Sequence, residues 1–76
     1  MSQKIYVSNL PLNIANEAIA EQFSKFGIVY FARVVNESET NAACIEMAFP
    51  EDAQNAIKTL NGTVFNGRLI KVTKSA

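Results

Sequence analysis

Three short stretches of the chain carry aromatic, cationic or hydroxyl side chains two residues apart: Lys4 and Tyr6, Phe31 and Arg33, Lys71 and Thr73. In an extended strand, residues i and i+2 stand on one face. Each pair would then set a flat ring, a positive charge or a hydroxyl on a common surface. Ring faces stack on nucleobases, and neighbouring ammonium or guanidinium groups meet phosphates. Aromatics also fill plain pleated sheet, so the spacing alone leaves both readings open. Other chemistries are poorly provided for. The chain has no histidine and one cysteine, Cys44. It therefore lacks the commonest general base and metal ligand, and it can form neither an internal disulfide nor a Cys-rich metal site. Residues 8–13, S-N-L-P-L-N, contain no Gly, no Arg and no Cys pair, hence no phosphate-cradling or metal loop of those kinds. No catalytic residue, no cofactor and no metal is expected.

The elements that must position these residues come in one repeated order. Residues 4–8 alternate, with Ile5 and Val7 on one face and Lys4, Tyr6 and Ser8 on the other. From Asn16 the period becomes helical: Ile19, Phe23 and Phe26 form one stripe over residues 16–26, and Gly27 stands where a helix C-terminal glycine belongs. Residues 29–35 are β-branched and aromatic and read as a second strand. A polar, acidic loop with Glu37 and Glu39 spans residues 36–41. Residues 42–49 form a third strand, with Ile45 and Met47 facing one way and Ala42, Cys44 and Glu46 the other. Pro50 opens a second helix, Pro50–Leu60, with Glu51 and Asp52 in its first turn and Ala53, Ala56, Ile57 and Leu60 on its apolar stripe. Asn66-Gly67 predicts a tight type I′ hairpin. A last strand, residues 69–73, buries Ile70 and Val72.

Strand-helix-strand twice over predicts an α+β, ferredoxin-like βαββαβ fold: a four-stranded antiparallel sheet with both helices packed on one face. The other face is then open to solvent. In the usual order, fourth-first-third-second, Tyr6 lies centrally and Phe31 on an edge strand. The predicted core is Ile5, Val7, Ile19, Phe23, Phe26, Ile45, Met47, Ile57, Ile70 and Val72. Ala15 and Phe49 precede the two helices and cannot cap them, which leaves Asn13 or Asn16 to cap the first.

Several motifs in register resemble the RNA recognition motif (RRM) family, over residues 4–74. Ile5-Tyr6-Val7-Ser8-Asn9-Leu10 is similar to the family's first-strand hexamer, and Phe23-Ser24-Lys25-Phe26-Gly27 to the close of its first helix. Glu51-Asp52-Ala53, Ala56-Ile57, Leu60-Asn61-Gly62 and Asn66-Gly67-Arg68 follow at the family's spacing. The resemblance implies a sheet that binds single-stranded RNA by stacking bases on first- and third-strand aromatics. It also exposes a departure. The family's third-strand octamer falls on residues 40–47, where Thr40 replaces a basic residue and Ala42 and Cys44 replace two outward aromatics. Stacking is worth about 1–3 kcal/mol per base, so two lost platforms cost roughly 2–6 kcal/mol.

Composition agrees with a weak binder. Of 76 residues, 49% are hydrophobic, while seven Lys and Arg balance seven Asp and Glu. Zero net charge removes the electrostatic excess on which dedicated nucleic-acid binders rely. This length supports one domain, residues 1–76 with its core at 3–74, and a folded surface of roughly 4,600 Å². The candidate RNA-binding residues are Lys4, Tyr6, Phe31, Arg33, Cys44, Glu46, Lys71, Thr73 and Lys74. Single-stranded DNA is a second candidate ligand for the same face. The competing function is a protein-interaction module. The family's peptide-binding variants carry an Arg-x-Phe after the second helix, where this chain has Thr63-Val64-Phe65, and an acidic first helix, where it has Glu17 and Glu21. A monomer in an intracellular compartment, with no membrane partner, is expected.

Overall fold

Alternating Ile5 and Val7 commit the first strand to a sheet with one buried face, and the remaining elements assemble on that side. The computed structural model describes residues 1–36 and 40–75, with the backbone alone for Asn36; Glu37 and Glu39 lie outside the described residues. The elements are β1 (Gln3–Leu10), α1 (Asn16–Ser24), β2 (Val29–Asn36), β3 (Asn41–Met47), α2 (Pro50–Leu60), β4 (Val64–Phe65), β5 (Arg68–Leu69) and β6 (Lys71–Ser75). The main sheet is antiparallel in the order β2-β3-β1-β6, and β4 and β5 form a separate hairpin. This is the ferredoxin-like arrangement expected, with β6 as the fourth strand. The accessible surface is 4685 Å², close to the roughly 4,600 Å² that a chain of this size should retain with a single core.

That core is built from Ile5, Val7 and Leu10 of β1, Ala43, Ile45 and Met47 of β3, Ile70, and Val72 of β6. Ile19 and Phe23 of α1 and Ala53 and Ala56 of α2 close over them. Small residues on α2 let its axis approach the sheet. Phe26 and Ile57, predicted as core, are half-buried at its margin.

Two bulges reset the facing of residues that simple alternation would misplace. In β1, Val7 stands opposite Ala43 and Leu10 opposite Asn41, so Ser8 and Asn9 together face Ala42. The extra residue returns Leu10 to the core, where strict alternation from Val7 would turn it outward. Asn9 takes φ 65°, a left-handed conformation that Asn tolerates better than most residues. In β2, Val29 pairs with Met47 but Phe31 with Glu46, leaving Tyr30 as the extra residue. Val29 and Phe31 thus face opposite sides although they are two apart.

Helix boundaries follow local chemistry. α1 ends at Ser24 rather than at Phe26: the Phe26 amide donates to the Phe23 carbonyl three residues back, tightening the final turn. Gly27 therefore sits beyond the helix cap, and a Cβ there would run into the Asp52 side chain of α2. Neither helix has a side-chain N-cap, Ala15 and Phe49 occupying those positions. Asn16, a candidate cap, is used elsewhere: its Oδ1 accepts the Val34 amide of β2 at 2.8 Å. At the opposite edge Asn61 Oδ1 accepts the Val72 amide of β6 at 2.9 Å. Asn66 and Gly67, at φ 48° and 85°, form the predicted hairpin turn. The hairpin takes up Arg68 and Leu69, so the last strand runs two residues later than expected.

Candidate nucleic-acid interface

The strand register lays the open face out in rows. One row runs Phe31, Glu46, Lys4, Ser75 from β2 to β6. The next runs Arg33, Cys44, Tyr6, Thr73. Beyond it, Lys71 pairs with Ser8 and Val35 with Ala42. The pairing therefore brings together, on one surface, eight of the nine residues singled out in the sequence. Tyr6 is half-buried on the central strand, with Cys44 on one side and Thr73 on the other. The Thr73 hydroxyl lies 3.5 Å from the Tyr6 carbonyl oxygen. Phe31 is 45% exposed and Val35 37%, enough for each to offer apolar contact to a ligand.

The ninth residue stands apart. Lys74 pairs with Ile5, which faces the helices, so its side chain leaves from the helix side of the sheet. It reaches the end of the sheet, where it lines a shallow groove of about 360 Å³ with Ser2, Gln3, Lys4, Glu46 and Ser75. There the Ser2 hydroxyl donates to Glu46 Oε2. Ser2 lies outside the alternating pattern of residues 4–8, and nothing in the sequence marks it as a partner of Glu46. Tyr30, 64% exposed, is likewise unmarked, because its display depends on the β2 bulge.

The two positions where the family resemblance implies aromatics differ in kind. Cys44 is half-exposed and keeps the outward facing expected of it. Ala42 is fully buried, a correction to its expected display. The bulge sets Ser8 and Asn9 against it, and a lone methyl is small enough to be covered. Asn9 itself is anchored to the β4–β5 hairpin. Its Nδ2 donates to the Leu69 carbonyl at 2.7 Å, and Arg68 donates to Asn9 Oδ1 at 2.7 Å. The strand-to-helix loop is held by the buried Asn41, whose Nδ2 donates to the Leu12 carbonyl at 2.8 Å.

Residues 5–71 match the RNA recognition motif family. The chain belongs to that family. Among RRM relatives, it is 34% identical over 77 residues to the 28 kDa chloroplastic ribonucleoprotein of Spinacia oleracea, covering 96% of this chain and 33% of that protein. It is 36% identical over 73 residues to a serine/arginine-type shuttling mRNA binding protein of Mycosarcoma maydis, covering 93% of this chain and 12% of that protein. The chain thus spans a third or less of the length of these curated relatives. Among solved RRM structures, RNA binding protein PG1 superposes with a TM-score of 0.89 at 31% identity, covering 96% of this chain and 93% of that one. The third RRM domain of Mip6 does so with a TM-score of 0.91 at 26% identity, covering 97% and 93%. Among the described residues, no helix is long and apolar enough to cross a membrane, and no cluster of His, Cys, Asp or Glu could hold a metal ion.

Proposed function

We propose that this chain is an RNA-binding domain that takes single-stranded RNA on its open sheet face and holds it weakly. The observation that carries the reading is the row Arg33, Cys44, Tyr6, Thr73, in which one aromatic occupies the centre of the sheet with a guanidinium two strands away. Tyr6 stacks one base, and Phe31 supplies a second, peripheral platform. Lys4, Arg33 and Lys71 meet phosphates across the face, and Lys74 does so from its rim. With stacking limited to one or two rings, the dissociation constant should fall between about ten micromolar and millimolar. Membership of the RRM family supports this reading, as do the RNA-binding and ribonucleoprotein names of its relatives. Single-stranded DNA would compete at the same face, because ring stacking and phosphate contacts do not require the 2′-hydroxyl.

Titrating the isotope-labelled domain with short RNA pools, while following backbone amide shifts, tests this reading. Shifts should concentrate on Tyr6, Arg33, Cys44 and Lys71, and Tyr6→Ala should remove most of the binding. Shifts confined to α1 and the neighbouring edge of β2, or unchanged affinity in Tyr6→Ala, would overturn it. A protein-interaction role would then lead, since Ile28 and Tyr30 stand 58% and 64% exposed close together along that edge.

A further inference from the structure

One carboxylate interrupts the positive and aromatic residues of the open face. Glu46 lies on the inner strand β3, between Phe31 of β2 and Lys4 of the other inner strand, β1. It is half-buried, and the Ser2 hydroxyl donates to its Oε2. On a surface that must attract phosphates, a negative charge at one end of the sheet face has a cost. An RNA strand crossing this row has to turn its phosphates away and present a base.

We infer that Glu46 reads the base stacked on Phe31 and selects guanine; the inference rests on the RNA-binding reading above. An ionised carboxylate only accepts hydrogen bonds, and it has two oxygens side by side. Guanine alone carries two adjacent donors, N1–H and the N2 amino group, on its Watson–Crick edge. Adenine and cytosine each offer one amino group next to an acceptor nitrogen, which a carboxylate repels. Uracil offers one N–H between two carbonyl oxygens. Single-stranded RNA exposes these edges. Phe31 and Glu46 are direct neighbours across the β2–β3 ladder, where paired Cα atoms lie about 4.5–5.5 Å apart. A base resting on the Phe31 ring therefore has the Glu46 carboxylate as its neighbour on the β3 side. Ser2 does not block this contact, because each carboxylate oxygen can accept more than one hydrogen bond. Lys4, on the other side of Glu46, is placed to take the phosphate on the flank of that nucleotide.

Seven-residue RNAs that are uridine throughout except at the central position provide the test, with that position varied as G, inosine, A, C or U. The guanosine-centred RNA should bind about 5- to 150-fold tighter than the all-uridine one, the range expected of a bidentate base contact. Inosine lacks the N2 amino group and should fall between them. Glu46→Gln is close to isosteric, and its fold can be verified from its amide spectrum. If Glu46 were only a misplaced negative charge, Glu46→Gln would tighten every RNA equally. If it reads guanine, the same change should collapse the guanosine-to-uridine ratio while leaving or improving the all-uridine affinity. Equal binding of all five RNAs by the native domain, or a ratio unmoved by Glu46→Gln, overturns the inference and leaves RNA binding intact. Absence of Tyr6-dependent binding to any of them overturns both.

Discussion

At the scale of single residues, the two missing aromatics on β3 have different consequences. Cys44 is half-exposed between Arg33 and Tyr6, so a larger ring there projects over the sheet without displacing packed atoms. Cys44→Phe should fold normally and tighten single-stranded RNA by about 1–3 kcal/mol, the worth of one stacking platform. A fluorescence titration against the native domain measures it, and an unchanged dissociation constant would mean that bases do not cross this part of the sheet. Ala42 offers no such gain. It is completely buried under the β1 bulge, and a ring at that position would overpack it, at a typical cost of about 1–3 kcal/mol. This difference is invisible to alternation, which treats residues 42 and 44 as equivalent. Only the doubled pairing of Ser8 and Asn9 separates them, and Asn9 does not advertise a bulge by its type.

At the scale of elements, apolar periodicity was a good guide wherever one face is buried. α2 runs over the residues predicted for it, and β1 and β3 carry Ile5, Val7, Ile45 and Met47 inward as their spacing required. Periodicity failed at the ends. α1 is shorter than its apolar stripe because Phe26 packs from a tightened turn beyond the helix, and β6 starts late because the hairpin consumes two residues. The candidate site was legible to the same extent. Residues on regular strand came out on the expected face, Tyr30 and Ala42 depend on bulges, and Lys74 falls on the helix side because alternation continues unbroken through β6 beyond residue 73. One element remains under-stabilised. The first turn of α1 has no side-chain acceptor, since Ala15 cannot provide one and Asn16 bonds to Val34. Ala15→Thr should add roughly 0.5–1 kcal/mol, because its hydroxyl can take an orphan amide of the first turn. For a domain this small, thermal unfolding should then shift upward by several degrees.

At the scale of the whole molecule, charge sets the character of binding. Seven positive and seven negative side chains leave no net field to draw RNA in from a distance. Three or four cations contacting phosphates should give a shallow salt dependence, a slope of about −2 to −3 in a plot of log K against log salt. A slope near zero would remove the phosphates from the proposed contacts. Neutrality has a second side, because a chain without net repulsion relies on its shape to stay apart from its copies. The sheet has two edge strands, and each has an amide occupied by an asparagine: Val34 by Asn16 and Val72 by Asn61. An edge so occupied is a poor template for another strand. Asn61→Ala should accordingly shorten the time before a concentrated sample becomes turbid near its melting temperature, by more than its loss of stability accounts for. The paired asparagines would then act as a colloidal safeguard, letting a neutral domain with an open, partly apolar face be crowded along an RNA without zipping to its neighbours.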